Sequence, residues 1–229
     1  RNKAIASLRK AYAFHFAGDQ HLGTVFHHGI NEWRDSIYSF CVPSIANLYL
    51  RWWKPLEPGK NRAPGEDPIL GDHLDGFNNK VTAIAVANPS PEKGGDRLTT
   101  RAAGFGVIRI NKQTRDVTFI CWPRNVNVSA KNAKPYPGWP FTFNQLDNYG
   151  RKAVAYLPSL QINKANQVVQ VINEKTGEIV YTLRIKGTTF RPKVFTEDSY
   201  TINVGEGAAR KSLKGIKAHN KVETLTVKL

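Results

Sequence analysis

The stretch Ala11-Tyr-Ala-Phe-His-Phe-Ala-Gly-Asp-Gln-His21 decides the fold of the first part of this chain. Apolar and aromatic residues run up to Gly18, and an aspartate and a histidine follow at once. This order is typical of a buried strand that ends in a tight glycine turn, after which polar side chains leave the edge of a sheet. Carboxylate and imidazole groups suit hard and borderline metal ions. We therefore expect a strand over residues 11–17 and metal-binding roles for His21 and Asp19.

A second apolar run, Tyr38-Ser-Phe-Cys-Val-Pro-Ser-Ile45, follows the first. We expect a buried strand over residues 36–42 that ends at Pro43, because proline cannot donate a hydrogen bond within a sheet. Together with Ala17-Gly-Asp-Gln-His-Leu22, this run resembles the last metal-binding motif and the following strand of the PhoD-like (alkaline phosphatase D type) metallophosphoesterases. The motif reads Gly-His-x-His in the wider calcineurin-like superfamily. It commonly reads Gly-Asp-x-His in the PhoD-like branch, as it does here.

The resemblance, which covers residues 1–55 best, implies a hydrolase of phosphate mono- or diesters with two metal ions. The family commonly uses iron and calcium, or other divalent metals. It is also commonly exported, so the resemblance implies a periplasmic, cell-surface or extracellular protein. This chain would supply His21 and Asp19 to the metal site. Asp19 stands where the wider superfamily has a histidine, and it is either a ligand or a partner that orients one.

Most ligands of such a site come from three earlier motifs, Asp-x-His, Gly-Asp and Gly-Asn-His, which do not precede His21 here. The partial look-alike Gly71-Asp-His-Leu-Asp75 comes after the last motif and follows no predicted strand. The chain also begins at Arg1 and contains no methionine. We therefore expect a processed or truncated fragment, which would be inactive without the N-terminal half of the same protein.

Other side chains could serve the same site. Arg34 and Asn47 are candidate phosphate-binding residues, since arginine can bind a phosphate through two parallel hydrogen bonds. One of the adjacent His27 and His28 could face the site and donate a proton to the leaving group. By strand alternation, His15 is expected to be a packed core residue rather than a ligand.

The composition limits the classes of function. The chain has 229 residues, of which 33 Lys and Arg against 18 Asp and Glu give a formal net charge of +15. No apolar run is long enough to span a membrane. No zinc-finger spacing, glycine-rich phosphate loop or RNA-recognition motif is present, so we do not expect sequence-specific nucleic-acid binding. The charge leaves an alternative open: a non-catalytic basic β-rich module that binds anionic polymers or the cell envelope.

Residue patterns elsewhere predict further elements. We expect a helix over residues 2–10, a short helix over 25–30, a long loop over 55–76, and strands over 81–87, 104–111 and 117–122, the last two as a hairpin. His73, within the long loop, is expected to be exposed. The pair Trp52-Trp53 is expected to pack in the core or between domains rather than to form a platform for a ligand. Cys41 and Cys121 are expected to be buried thiols, with a disulfide as the alternative.

From residue 153 onward the pattern changes to short strands separated by turns, with a hairpin turn at Glu174-Lys-Thr-Gly177. We therefore expect a domain boundary near residue 150. The predicted fold class is α+β. Residues 1–150 would form the C-terminal portion of a calcineurin-like metallophosphoesterase sandwich, and residues 151–229 a small antiparallel β-sandwich.

Overall fold

The computed structural model describes residues 1–18, 20–46, 49, 51–89, 101–218 and 222–229. It is mostly β-sheet, with 39% of residues in strands and 8% in helices, which confirms the β-rich part of the expectation. The chain divides into two compact units. The first contains Arg1–Ile5 and Phe14–Gly150, and the second contains Ala6–Ala13 and Arg151–Leu229. The helix α1 spans Asn2–Lys10, as predicted, so its residues up to Ile5 belong to the first unit and those from Ala6 to the second.

The first unit contains eight named strands among the residues described. These are β1 His15–Ala17, β2 Thr24–His28, β3 Tyr38–Cys41, β4 Gly71–Leu74, β5 Lys80–Val86, β6 Gly104–Ile110, β7 Asp116–Pro123 and β8 Phe141–Asn144. One sheet has the order β1-β3-β2-β5-β4, and the other has the order β6-β7-β8. The β1–β3 pair is parallel, whereas the remaining pairs of both sheets are antiparallel.

The core of the first unit lies between these two sheets. Val25, Phe40 and Ala85 from the first sheet and Phe119 and Phe143 from the second belong to one buried cluster. The rings of Phe40 and Phe119 stack with centroids 4.9 Å apart. Because strand side chains alternate between the two faces of a sheet, each sheet contributes one apolar face to this cluster.

The predicted hairpin is confirmed. Strands β6 and β7 pair from Gly104 with Pro123 to Ile110 with Val117. The polar turn between them closes through hydrogen bonds between Asn111 and its neighbours, including Arg115 N–H to the Asn111 carbonyl at 2.8 Å. The strand predicted over residues 36–42 is also present, as β3.

Three sequence-based expectations for the first unit are wrong. The strand expected over 11–17 is confined to β1, and residues 11–12 form a turn instead. The short helix expected over 25–30 is the strand β2, which pairs with β3 on one side and β5 on the other. The loop expected over 55–76 ends in β4, which pairs with β5. In both latter cases a neighbouring strand supplies the hydrogen bonds that local sequence patterns do not reveal.

The second unit is built from shorter strands. They are β9 Ala155–Tyr156, β10 Ser159–Ile162, β11 Val168–Asn173, β12 Ile179–Arg184, β13 Thr189–Phe190, β14 Lys193–Val194, β15 Ser199–Val204, β16 Lys211–Lys217 and β17 Thr224–Val227. Four of them form an antiparallel sheet in the order β12-β11-β15-β16, with the predicted turn at Glu174–Gly177 joining β11 to β12. A second sheet has the order β13-β10-β17.

One pairing in the second unit departs from the antiparallel arrangement that we expected. Strands β10 and β17 run parallel, from Ser159 beside Thr224 to Ile162 beside Val227. Both sheets contribute to the interior, since Leu160 and Ile162 of one sheet and Val169 of the other are fully buried.

Among the residues described, no helix has both the length and the apolar character needed to cross a membrane.

Candidate functional site

The loop that carries the predicted metal ligands begins where β1 ends. β1 is an edge strand, paired only with β3, and Ala17 lies beside Cys41 in this register. The carbonyl of Ala17 accepts the N–H of Val42 at 2.8 Å, which ties the end of β1 to the residue after β3. The chain then leaves the sheet. Asp19, one of the predicted ligands, lies outside the described residues.

The backbone of this loop turns at His21 rather than at Gly18. His21 has φ +53°, in the left-handed region that few non-glycine residues occupy. At Gly18, by contrast, a Cβ would meet no atom within 4 Å, and its φ is not in that region. The tight glycine turn expected from the sequence is therefore not the feature that shapes the loop. The chain instead changes direction at His21, through its left-handed backbone conformation.

The His21 ring is oriented by the segment that follows the second motif. Its Nδ1 lies 3.0 Å from the backbone carbonyl oxygen of Tyr49. Since a carbonyl oxygen can only accept, Nδ1 carries the hydrogen, and the lone pair of the neutral imidazole is on Nε2. The Tyr49 ring lies edge-on to the imidazole, with centroids 6.0 Å apart. Ligating histidines in metal sites are commonly held by a hydrogen bond from their second nitrogen to a carbonyl or carboxylate.

A thiol lies next to the same loop. The backbone N–H of Gln20 donates to the Cys41 thiol, but burial is the larger influence and raises the pKa of Cys41. Both cysteines are free thiols, with Cys121 buried and Cys41 half-buried. Burial, together with the neighbouring Cys41, raises the pKa of Cys121 to about 12. The expectation of thiols rather than a disulfide is confirmed, although only Cys121 is fully buried.

The described residues do not bring together enough metal-binding side chains for a complete metal site. Within the described ranges, no group of three or more His, Cys, Asp or Glu side chains could hold a metal ion. An imidazole held in a single tautomer fits a divalent metal as one ligand among several. His21 therefore fits a shared metal site and does not by itself form one.

The candidate phosphate ligand Arg34 is engaged elsewhere. Its Nη2 lies 2.8 Å from Oδ1 of the buried Asp72, and it also donates to the Asn61 carbonyl at 3.3 Å. Arg34 lies in the connection between β2 and β3, with φ +64°. The second candidate, Asn47, lies outside the described residues.

Two histidines have the opposite exposure to the one expected. His15 is exposed, because the first two residues of β1 both face solvent. His73 is buried, because β4 is paired and covered, and its Nε2 lies 3.1 Å from the Ile69 carbonyl and 3.2 Å from that of Leu70. Both β1 and β4 are edge strands, but Lys60 forms a bridge to Asp72 of β4. Strand alternation and loop composition cannot reveal which edge strand is covered by another segment.

The adjacent histidines of β2 point in different directions, as the sequence predicts for neighbours in a strand. His27 is buried, with Nε2 3.1 Å from the Ser36 carbonyl, and its ring stacks on Tyr38 at 4.0 Å. His28 lies between Arg1 and Ser39, with Nε2 2.8 Å from the serine hydroxyl. Burial lowers the pKa of His27 to about 4 and that of His28 to about 3, so both are neutral at pH 7.

Comparison with known proteins identifies no relative, since no family model, no curated protein and no solved structure matches this chain. Its function is therefore inferred from the motif and from the side chains around it.

Proposed function

We propose that this chain is the C-terminal part of a PhoD-like metallophosphoesterase that hydrolyses phosphate mono- or diesters. In this proposal His21 is a metal ligand, and Asp19 is a second ligand or the group that orients one. The calcineurin-like portion comprises residues 1–150, and residues 151–229 form a separate β-rich domain. The remaining ligands would come from the N-terminal half of the same protein, so these 229 residues alone would be inactive.

The observation that carries the proposal is the hydrogen bond between His21 Nδ1 and the Tyr49 carbonyl, 3.0 Å long. It fixes the tautomer that puts the ligating lone pair on Nε2. The left-handed backbone of His21 costs conformational free energy, and backbone strain of this kind often occurs at functional sites. Both ends of the loop are held by β3, since Ala17 of β1 and Thr24 of β2 both lie beside Cys41.

The role of this chain's residues in the reaction follows from these contacts. Two metal ions, when bound, would polarise the phosphoryl oxygens of the ester. His21 would hold one of them through Nε2, and the Tyr49 carbonyl would keep the ring from rotating. The net charge of +15 would favour the approach of an anionic ester, most strongly at low salt.

The proposal is tested in the longest natural polypeptide that contains this sequence. We expect His21→Asn to lower the bound metal and to reduce hydrolysis of bis(p-nitrophenyl) phosphate at least about 100-fold, as loss of a ligand should. Asparagine tolerates a left-handed backbone, so the loop should persist. The matched control is His15→Asn, an exposed histidine on β1 that should change neither quantity. Unchanged metal content and turnover in His21→Asn would exclude the assigned ligand.

A second candidate function rests on the second unit. Residues 151–229 contain 14 Lys and Arg against 6 Asp and Glu, a net charge of +8. Three exposed lysines, Lys211, Lys214 and Lys217, lie along the edge strand β16. A basic edge can bind an anionic polymer, and it also prevents unwanted strand pairing. Binding of heparin that disappears in moderate salt, in a chain that takes up no metal, would favour this non-catalytic module.

A further inference from the structure

A pocket of ≈ 510 Å³ opens beside the edge strand β4 in the first unit. Its lining consists of Trp33 and Trp53, residues 54–58 with Lys60, and residues 72–76. Pockets of this volume hold small organic molecules. None of its lining residues belongs to the His21 loop, so the proposed phosphoesterase activity does not account for this pocket.

Both tryptophan rings are held in place by backbone carbonyls of residues 69 and 73. The indole N–H of Trp33 donates to the His73 carbonyl at 3.2 Å, and that of Trp53 donates to the Ile69 carbonyl at 2.9 Å. The backbone of Trp53 is also held at both ends by the Asn88 side chain, which accepts its N–H and donates to its carbonyl at 2.9 Å each. A ligand therefore meets rings that are already ordered, which reduces the entropy cost of binding.

The lining segment that ends at Lys60 is also fixed. Lys60 pairs with Asp72 through two backbone hydrogen bonds of 3.0 and 2.7 Å, and Gly59 N–H donates to the Pro68 carbonyl at 2.8 Å. Two prolines, Pro55 and Pro58, restrict the backbone of the segment in between. Hydrogen bonds to the backbone therefore hold both the tryptophan rings and the segment that ends at Lys60.

The charges around the pocket balance. Lys54 and Lys60 are offset by Glu57 and Asp75, and the buried Asp72 is paired with Arg34 outside the lining. These lining groups alone would therefore give an anion or a cation little net attraction. Outside the lining, Lys80 Nζ lies 5.1 Å from the centroid of the Trp33 ring. The lining combines indole rings with ammonium and carboxylate groups that can donate and accept hydrogen bonds.

We propose that this pocket binds a neutral carbohydrate. One face of a pyranose ring carries C–H groups that pack on an indole ring, and its hydroxyls need donors and acceptors at the edge. Trp33 and Trp53 supply the first, and Lys54, Glu57 and Lys60 supply the second. The Asp75 carboxylate is already engaged, since it accepts hydrogen bonds from Phe77 and Asn79. This site is independent of the metal site assigned to His21.

The test is isothermal titration of the 229-residue chain with neutral hexasaccharides: β-1,4-linked glucose, β-1,4-linked xylose, β-1,4-linked N-acetylglucosamine and α-1,4-linked glucose. We expect at least one to bind with a dissociation constant between about 10 μM and 1 mM. Trp33→Ala should weaken binding at least tenfold, whereas Ile110→Ala, which alters an exposed side chain at the end of β6 outside the lining, should leave it unchanged. His21→Asn should also leave it unchanged.

A second variant keeps the proposal testable if Trp33→Ala does not fold. Glu57→Gln alters an exposed side chain of the lining and should weaken binding several-fold without affecting the fold. The proposal is overturned if none of the four sugars binds. It is also overturned if Trp33→Ala and Glu57→Gln bind as the unchanged chain does, or if a heparin hexasaccharide displaces the neutral sugar at equal concentration.

Discussion

Arg34 forms an ion pair with a carboxylate that is almost completely enclosed: its Nη2 is 2.8 Å from Oδ1 of Asp72, whose side chain is 2% exposed. Asp72 also accepts hydrogen bonds from the Thr82 hydroxyl at 2.5 Å and the Asn61 amide at 2.8 Å. The pair joins the β2–β3 connection to β4, which is at the opposite edge of the first sheet from β1. The ion pair therefore holds together two segments whose proximity cannot be predicted from local sequence patterns.

Removal of this arginine should destabilise the first unit. Arg34→Gln leaves the Asp72 charge buried with only neutral donors, which we expect to lower the free energy of unfolding by about 2 kcal/mol. All five tryptophans lie in the first unit, so denaturation followed by tryptophan fluorescence reports on it. The control is Arg184→Gln, which removes an exposed pair with Glu206 and should cost at most about 1 kcal/mol by circular dichroism. Equal losses would contradict the prediction.

The two histidines of β2, of which His27 is buried and His28 half-buried, should make the first unit sensitive to acid. Unfolded histidine takes up a proton near pH 6.5, whereas His27 and His28 do so only near pH 4 and pH 3 in the folded protein. Between these values the unfolded chain binds more protons, so stability falls as the pH falls below 6.5. Each histidine contributes a slope of up to about 1.4 kcal/mol per pH unit. His28→Gln should remove one such contribution in urea titrations at pH 5.0, 5.75 and 6.5. Identical slopes in both proteins would show that His28 is not buried in its neutral form.

The packing between the two sheets of the first unit depends on Phe40, which is fully buried and stacked on Phe119. Phe40→Ala should lower the free energy of unfolding by about 3–5 kcal/mol, because the lost contacts leave a cavity. The matched control is Phe77→Ala, in which a side chain that is 90% exposed is removed at a cost of about 0.5 kcal/mol or less. Similar fluorescence midpoints for the two variants would mean that the sheets do not share this core.

The interior of the second unit contains a buried hydroxyl. Tyr181 is fully buried, and its hydroxyl donates to the Lys193 carbonyl at 2.9 Å. Tyr181→Phe removes that bond without changing the packing, and should cost about 1 kcal/mol. Tyr156→Phe, at a tyrosine that is 37% exposed, is the control with little expected change. Because the second unit has no tryptophan, the measurement is far-ultraviolet circular dichroism against urea.

The two thiols should differ in reactivity. Burial raises the pKa of both, and that of Cys121 to about 12, so little thiolate is present at pH 8. We expect Cys41, which is half-buried, to react slowly with Ellman's reagent in the native protein, and Cys121 to react only after unfolding in guanidinium. The variants Cys41→Ser and Cys121→Ser assign the two rates. Rapid native reaction of Cys41→Ser would contradict the burial of Cys121.

Elements whose hydrogen bonds are made between neighbours in the sequence could be predicted from the sequence. The hairpin of β6 and β7 follows from two alternating runs separated by a polar turn, and the turn at Glu174–Gly177 from its residue types. The amphipathic helix α1 follows from its spacing of apolar residues. In each case the pattern and the contacts lie within about 20 residues, so local preference and final structure agree.

Strand order could not be predicted in this way. Whether β1 is at an edge, whether β4 is covered and whether β17 runs parallel to β10 depend on segments far apart in the chain. For this reason His15 and His73 have exposures opposite to those expected from their local sequence. A periodic pattern indicates which side chains share a face, but it does not indicate what covers that face.

The candidate site also combines features that the sequence determines with features that only the tertiary structure determines. The sequence alone determined that a histidine follows the end of an apolar strand by four residues, because the order of residues is covalent. Only the tertiary structure decided that its Nδ1 meets the Tyr49 carbonyl, and that Arg34 pairs with Asp72. Every residue has a carbonyl, so the sequence cannot mark the one that orients a ring. The fold selects it by bringing two distant backbone segments within hydrogen-bonding distance.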